Sequence, residues 1–462
     1  MTTPEPAKGC QVTLLIPHPA RTAVLVCDDA TPADGPTTSV PVRMPTLRLD
    51  DQEPLLSRIL DSTELVDTDR VVVLRQVQTS REVDGDEDGE ISLVVEFEPD
   101  DIDAPAGWTW RDLDDDLIAR LEPETARDAV AAWARERTGG WSPLRPPWAF
   151  PGWFTGASSW MVEQMAEAGS PALAPPRQHQ LWGLSVVLRA PSTDGDVYFK
   201  SSAEIFRHEA VVTQALAARM PEVTPQVIAV DGARGWMLMR DLGAAELGHQ
   251  DETYWQEGVA THAAIQQQWL DRTDELVELG LPQRSLADLA VHVEQMTEDP
   301  ELLARMSADL RERWLASVPA LVDSCRRLDE IGPGPTLVHG DFHPWNITFG
   351  PDATRVFDWT DAAVSHPFVD LATFVFRTRD LSVRRRLVDT CVAAWSAAGP
   401  HETVQEAASL GLVVGALYQV QTYRLLLPTL MARGADDRMS DADVAWINRS
   451  LTRHHRGLES PA

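Results

Sequence analysis

The rhythm of apolar and polar positions changes several times along the chain. DRVVVLRQVQTS (69–80) and ISLVVEFEP (91–99) alternate with the period of a half-buried strand, which predicts a hairpin around the acidic segment REVDGDEDGE. QVTLLIPHPARTAVLVCDDA (11–30) reads as two short strands around a Pro-containing turn, and ETARDAVAAWARER (124–137) has the composition of a helix that closes a first region near residue 138. From Gln178 the strand period returns in HQLWGL, SVVLRAP and, after the turn signal STDGD, VYFK. The run AEIFRHEAVVTQALAARM then switches to the helical period before the strands TPQVIAVDG and GWMLMRDLG, which predicts a five-stranded sheet with one helix inserted after its third strand. Beyond about residue 250 the chain is dominated by long amphipathic helical stretches. They are interrupted by LVHGDFHPWNITFG (337–350) and VFDWTDA (356–362).

Between these regions, residues 139–156 (GGWSPLRPPWAFPGWFTG) are rich in Pro and Trp and are expected to be a connector without regular helix. ASSWMVEQMAEAG should form a short helix from Ser158 or Ser159 to Gly169. The expected organisation is therefore an N-terminal α/β accessory domain (1–138), a Pro/Trp-rich linker with a short helix (139–175), a sheet-rich lobe (176–245) and a helical lobe (246–462).

Composition adds exclusions. The formal charge is −31, more than half of it on residues 1–140, so binding to a nucleic acid backbone is disfavoured. Cys10, Cys27, Cys325 and Cys391 form no CxxC pair, which argues against a zinc site or a disulfide framework and for a reduced, intracellular setting. The N-terminus has no basic and apolar leader, and no run of about 18 apolar residues occurs. A soluble cytoplasmic protein without a membrane partner is expected. Among the 40 basic residues only Lys8 and Lys200 are lysines, so a lysine retained inside a strand stands out.

The first region, with its strands, a Trp-containing stretch and a closing helix, resembles a Nudix-type domain. It departs from that family at the metal-binding box, because Arg81-Glu82 is followed by Gly85-Asp86 where the box needs a Glu pair. Nudix hydrolysis is not expected. The six acids between Glu82 and Glu90 lack the EF-hand pattern and read as a solvated loop.

In LVHGDFHPWNITFG, an Asp precedes an Asn by five residues between two strand-like segments. A plain polar turn is the simplest reading. A hydrolase centred on His339 and His343 would need a further His-rich cluster at ligand spacing, which the chain does not offer. The combination LVHGDFHPWNITF, VFDW and HPFVDLA, with the sheet-then-helices order around it, resembles the aminoglycoside phosphotransferase and choline kinase superfamily over roughly residues 176–450. The resemblance implies an α+β, bilobal protein-kinase-like fold with an additional N-terminal domain, and a nucleotide cleft between its lobes.

The roles implied by that resemblance match the chemistry of the side chains. Asp341 stands where the family has the carboxylate that accepts the proton of the acceptor hydroxyl. Asn346 and Asp358 stand at the positions of the magnesium ligands, for which hard oxygen donors are required. Lys200, on the third strand, stands where a lysine meets the α and β phosphates, and its expected partner is Glu209, with Glu204 the runner-up. The phosphate loop departs from the protein-kinase pattern: LWGLSVV offers Gly183 alone, so Ser185 and backbone amides would have to grip phosphate, and ATP against GTP stays open. GWMLMRDLG should lead to the purine, with Met239 to Leu242 nearby. Asp370 in HPFVDLA matches a family Asp that anchors the catalytic loop, and His339 is expected to brace that loop.

The resulting expectation is an ATP-dependent phosphotransferase, with Mg2+ and the nucleotide as cofactors, acting on a hydroxyl of a small molecule. Family acceptors include aminoglycosides, amino sugars, sugars and amino alcohols. The acidity of the helical lobe suits a cationic acceptor but equally suits solubility alone. A non-catalytic, pseudokinase-like binding protein is the alternative; its mark would be loss of the lysine or of a metal ligand, and neither is lost.

Overall fold

The computed structural model describes residues 10–20, 22–27, 41–49, 71–81, 91–99, 103–350, 354–433 and 437–461. The chain forms two compact units, one of Met1–Asp194, Tyr198–Ala203 and Leu427–Ser440, the other of Gly195–Val197, Glu204–Leu426 and Asp441–Ala462. The acidic hairpin tip at 82–90, with the Nudix-box positions Glu82, Gly85 and Asp86, lies outside the described residues.

In the first unit, β1 (Cys10–Leu15), β4 (Thr46–Leu49), β5 (Val71–Arg81) and β6 (Ile91–Pro99) form a four-stranded sheet in the order β4-β1-β6-β5. The expected hairpin is present, since β5 and β6 are antiparallel, whereas β1 and β6 run parallel. The period of two sends successive β6 residues to opposite faces. Val95 and Phe97 join a core with Val12, Leu14 and Val73, while Val94 joins another with Leu15, Val130 and Trp133. The remaining strands pair two by two, β2 (Ala23–Cys27) with β7 (Trp108–Asp112) and β3 (Val42–Arg43) with β8 (Leu121–Glu122).

A closed ring of four charges lies inside this unit. Arg75 Nε reaches Glu96 at 2.7 Å and its Nη2 reaches Glu136 at 2.7 Å; Arg145 Nη2 and Nη1 reach the same two carboxylates at 2.7 and 3.2 Å. Arg145 comes from the Pro/Trp-rich segment and Glu136 from the helix Arg127–Gly139. Glu96 also accepts from the Trp133 indole at 3.1 Å.

One expected boundary is corrected. The helix expected from Ser158 or Ser159 begins at Trp153 and runs to Glu167, so the last residues of the supposed connector are helical. Proline ends at Pro151, and Gly152, with φ +80°, turns the chain into the helix while its N–H donates to Glu98 at 2.9 Å. Trp153 and Trp160, two turns apart on one face, both meet the Phe199 ring edge-on, at 5.9 and 5.8 Å.

The sheet read from residue 178 onward is present, with β9 (Arg177–Leu181), β10 (Ser185–Ser192), β11 (Gly195–Ser202), β12 (Val227–Asp231) and β13 (Trp236–Arg240) in the order β12-β13-β11-β10-β9. The helix His208–Arg219 follows the third strand.

In the second unit the predicted helical runs are real but divided. The first breaks at Trp269 between the helices Trp255–Gln268 and Thr273–Glu278. The second breaks before Ser307, whose hydroxyl caps the helix Ala308–Glu330 by accepting from Leu310 N. The third, His401–Ala432, is unbroken. By length and composition it is apolar enough to cross a bilayer, yet 67% of its most apolar stretch is buried inside the protein, as a core helix requires. Two short antiparallel pairs sit among these helices, β14 (Thr336–Val338) with β17 (Ala363–Ser365) and β15 (Ile347–Phe349) with β16 (Thr354–Val356).

Candidate active site

The register of β15 and β16 explains how residues twelve apart in sequence become neighbours. Ile347 lies opposite Val356, so Asn346 and the Phe357-Asp358 pair emerge together from one end of the hairpin. Phe357 N–H donates to Asn346 O at 3.0 Å and closes that end. The Asn346 amide nitrogen donates to Asp341 O at 3.0 Å, which ties the hairpin to the preceding loop. Among the described residues no hydrogen bond engages Asn346 Oδ1. Asp358 is the only described non-glycine residue with positive φ, +64°, a conformation an Asp tolerates better than most side chains. One of its carboxylate oxygens accepts from the Thr360 hydroxyl.

The loop itself hangs from a buried carboxylate. Asp370 Oδ2 accepts from His339 N–H at 2.8 Å, from His262 Nε2 at 2.7 Å and from Gln266 Nε2 at 3.3 Å, and Oδ1 accepts from Gly340 N–H at 2.9 Å. The anchoring expected of Asp370 is thus observed. His339, fully buried, spans the two loops: Nε2 donates to Phe357 O at 2.9 Å and Nδ1 accepts from Asp341 N–H at 3.4 Å. Burial is the main cause of its lowered pKa, so the neutral ring with its proton on Nε2 is the form that fits both bonds. Gly340 has φ +82°, and a Cβ there would lie 2.2 Å from Asp361 O, so glycine is required on both counts.

Asp341 lies 3.4 Å from His343 Nε2. Burial opposes its ionisation, but the His343 hydrogen bond and the nearby Arg377 charge outweigh it and hold the carboxyl below the ordinary range. A neighbour that the sequence did not flag is Asp361: burial first, then the charges of Asp341 and Asp358, push its carboxyl up to about 8. Tyr423, also unflagged, has its hydroxyl pKa raised by burial and by Asp341 and Asp361. Neither has a motif; each reaches the loop through tertiary folding.

The other predicted residues fall as follows. Lys200 is buried in β11 and Ser185 opens β10, where its hydroxyl accepts from the Trp182 indole at 2.6 Å. Both belong to the first unit. Glu209 is 3% exposed in the first turn of its helix, and Met239 lies in β13 opposite Val227. Glu204 is exposed and ion-paired with Arg207 at 2.7 Å, which is the surface role of a helix-start acid.

Among the described residues no group of three His, Cys, Asp or Glu is gathered for a metal. An amide oxygen beside a carboxylate nonetheless fits a hard divalent ion that completes its shell with phosphate and water oxygens.

The sequence model of the phosphotransferase enzyme family matches residues 181–404, which include all of these loops. A comparison with curated proteins finds no match. Among solved structures the chain is similar to a macrolide 2'-phosphotransferase, MphH, from Brachybacterium faecium (18% identity, 63% of this chain and 98% of that one, TM-score 0.44). It is also similar to a choline/ethanolamine kinase family protein from Mesorhizobium loti (14%, 64% and 97%, 0.42) and to choline kinase LicA from Streptococcus pneumoniae (15%, 63% and 96%, 0.42). The family match thus spans residues 181–404, a little under half of the chain.

Proposed function

We propose that the protein is a kinase that moves the γ-phosphate of ATP to a hydroxyl of a small molecule. The observation that carries this reading is the meeting of Asp341, Asn346 and Asp358 through one hairpin register and one amide bond. Asp341, ionised at neutral pH, accepts the hydroxyl proton and keeps the acceptor oxygen directed at phosphorus. Asn346 Oδ1 and the Asp358 carboxylate hold Mg2+, which supplies charge neutralisation to the phosphates when bound. Lys200 neutralises the α and β phosphates, with Glu209 as its orienting acid. Ser185 contributes to the phosphate loop, although its bond to Trp182 must then be shared or exchanged. Met239 lines the purine.

A phosphate-transfer screen with Mg-ATP, run beside Asp341→Asn, tests this reading. The variant should retain its fold and lose transfer on the order of 100-fold or more. Equal turnover by both proteins would remove Asp341 from the chemistry.

A further inference from the structure

In the helical unit Arg377, Arg449 and Arg453 lie near one another with no carboxylate between them. Arg453, in the last turn of the helix Ala442–Arg456, is 4% exposed. Its guanidinium lies 3.9 Å from the Phe376 ring and 5.4 Å from the Trp446 ring, and its hydrogen bond is a long one, 3.5 Å to Leu412 O. Arg449, one turn earlier, lies 4.6 Å from the same Trp446 ring. Arg377, next to Phe376, donates to Thr373 O at 3.2 Å and lies 5.9 Å from the Trp345 ring. Among the described residues none of the three meets a carboxylate.

What sets the group apart is Arg453, buried with no carboxylate partner in a chain with 71 acids against 40 basic residues. Neighbouring Arg384 is also buried, but its guanidinium is occupied by the carbonyls of Thr378, Leu458 and Ser460. For Arg453, burial and then the charges of Arg449, Arg384 and Arg377 all depress the pKa, with no acid to oppose them. A guanidinium does not shed its proton in a protein, so the unfavourable charge stays until an anion arrives. Aromatic faces reduce that cost without neutralising it.

The cluster adjoins the loop through Trp345. Arg377 lies 5.9 Å from the ring of Trp345, which precedes Asn346 and meets the His343 ring at 6.0 Å.

We infer that the acceptor carries an anionic group, a carboxylate or a phosphate, which Arg377, Arg449 and Arg453 hold while its hydroxyl meets Asp341. Guanidinium forks match both anions, and an amine-bearing acceptor would meet like charge. The inference rests on the phosphotransfer reading for the role of Asp341, whereas the anion site stands without it.

Titration calorimetry of the full chain with sulfate tests the site. Sulfate should bind saturably, survive added ADP, and weaken on the order of 10-fold or more in Arg377→Gln/Arg449→Gln, which replaces two exposed side chains and should leave the melting temperature unchanged. Unaltered sulfate binding in that variant, no binding in the wild type, or displacement of sulfate by ADP overturns the inference. Matched acceptors give the second arm: gluconate and glucose 6-phosphate should exceed glucosamine in kcat/KM, and the double variant should lose that preference through KM rather than kcat. Preference for glucosamine overturns the inference and leaves phosphotransfer standing. Sulfate binding as expected, with no transfer to any acceptor, sustains the anion site and counts against the phosphotransfer reading alone.

Discussion

The N-terminal unit and the helical unit handle arginine in opposite ways. In the first, Arg75 and Arg145 alternate with Glu96 and Glu136 in a ring in which every charge faces two of the other sign. In the second, Arg449 and Arg453 lie against Trp446 and Phe376 and Arg377 against Trp345, with carbonyls and rings as their partners. A closed ring has no open valence and needs no ligand; its function is to fix the Pro/Trp-rich segment against β5, β6 and a helix. An open cluster keeps a demand for negative charge that folding has not met. The teaching is that partner count, more than burial, separates a structural charge from a binding one.

The contrast can be broken by removing one member from each set. Glu96→Gln leaves two buried guanidinium groups short of a counter-charge, so it should destabilise the chain by about 3–5 kcal/mol in denaturant unfolding. A loss below about 1 kcal/mol would mean that the ring is as dispensable as a surface pair. His366 sharpens the comparison with a third strategy, neutrality. Its Nδ1 accepts from Phe368 N–H and its Nε2 meets Ile331 O at 3.3 Å, and burial lowers its pKa from 6.5 to about 4. The unfolded chain takes up this proton near pH 6.5 and the folded chain does not until about pH 4. Stability present above pH 6.5 should therefore fall by up to about 3 kcal/mol as pH drops to 4, and His366→Gln should flatten that slope. The smallest effect is expected at the open cluster. Arg453→Met should change stability by no more than about 1 kcal/mol, in the stabilising direction, because it deletes an unpaired charge and keeps the apolar stem.

Much of the loop geometry was legible because it is local. The five-residue interval from Asp341 to Asn346, the strand that delivers Asp358 and the anchor Asp370 all sit in short segments whose geometry a hairpin register or a single hydrogen bond determines. The helix start at Trp153 was missed because a Pro-rich run hides where proline ends and Gly152 turns the chain. The charge ring joins positions 75, 96, 136 and 145, and the arginine cluster joins 377 to 449 and 453. Such pairings depend on tertiary packing, and an arginine that will meet a carboxylate looks the same in sequence as one that will not.

The proposed account is tested most directly by the nucleotide affinity measured with and without Mg2+ in the wild type and in Asp358→Ala. It predicts that Mg2+ tightens ATP binding to the wild type on the order of 10-fold or more and has little effect on the variant. Equal Mg2+ dependence in both proteins would contradict the assignment of the Asn346–Asp358 pair as the metal site, and with it the proposed mechanism of transfer.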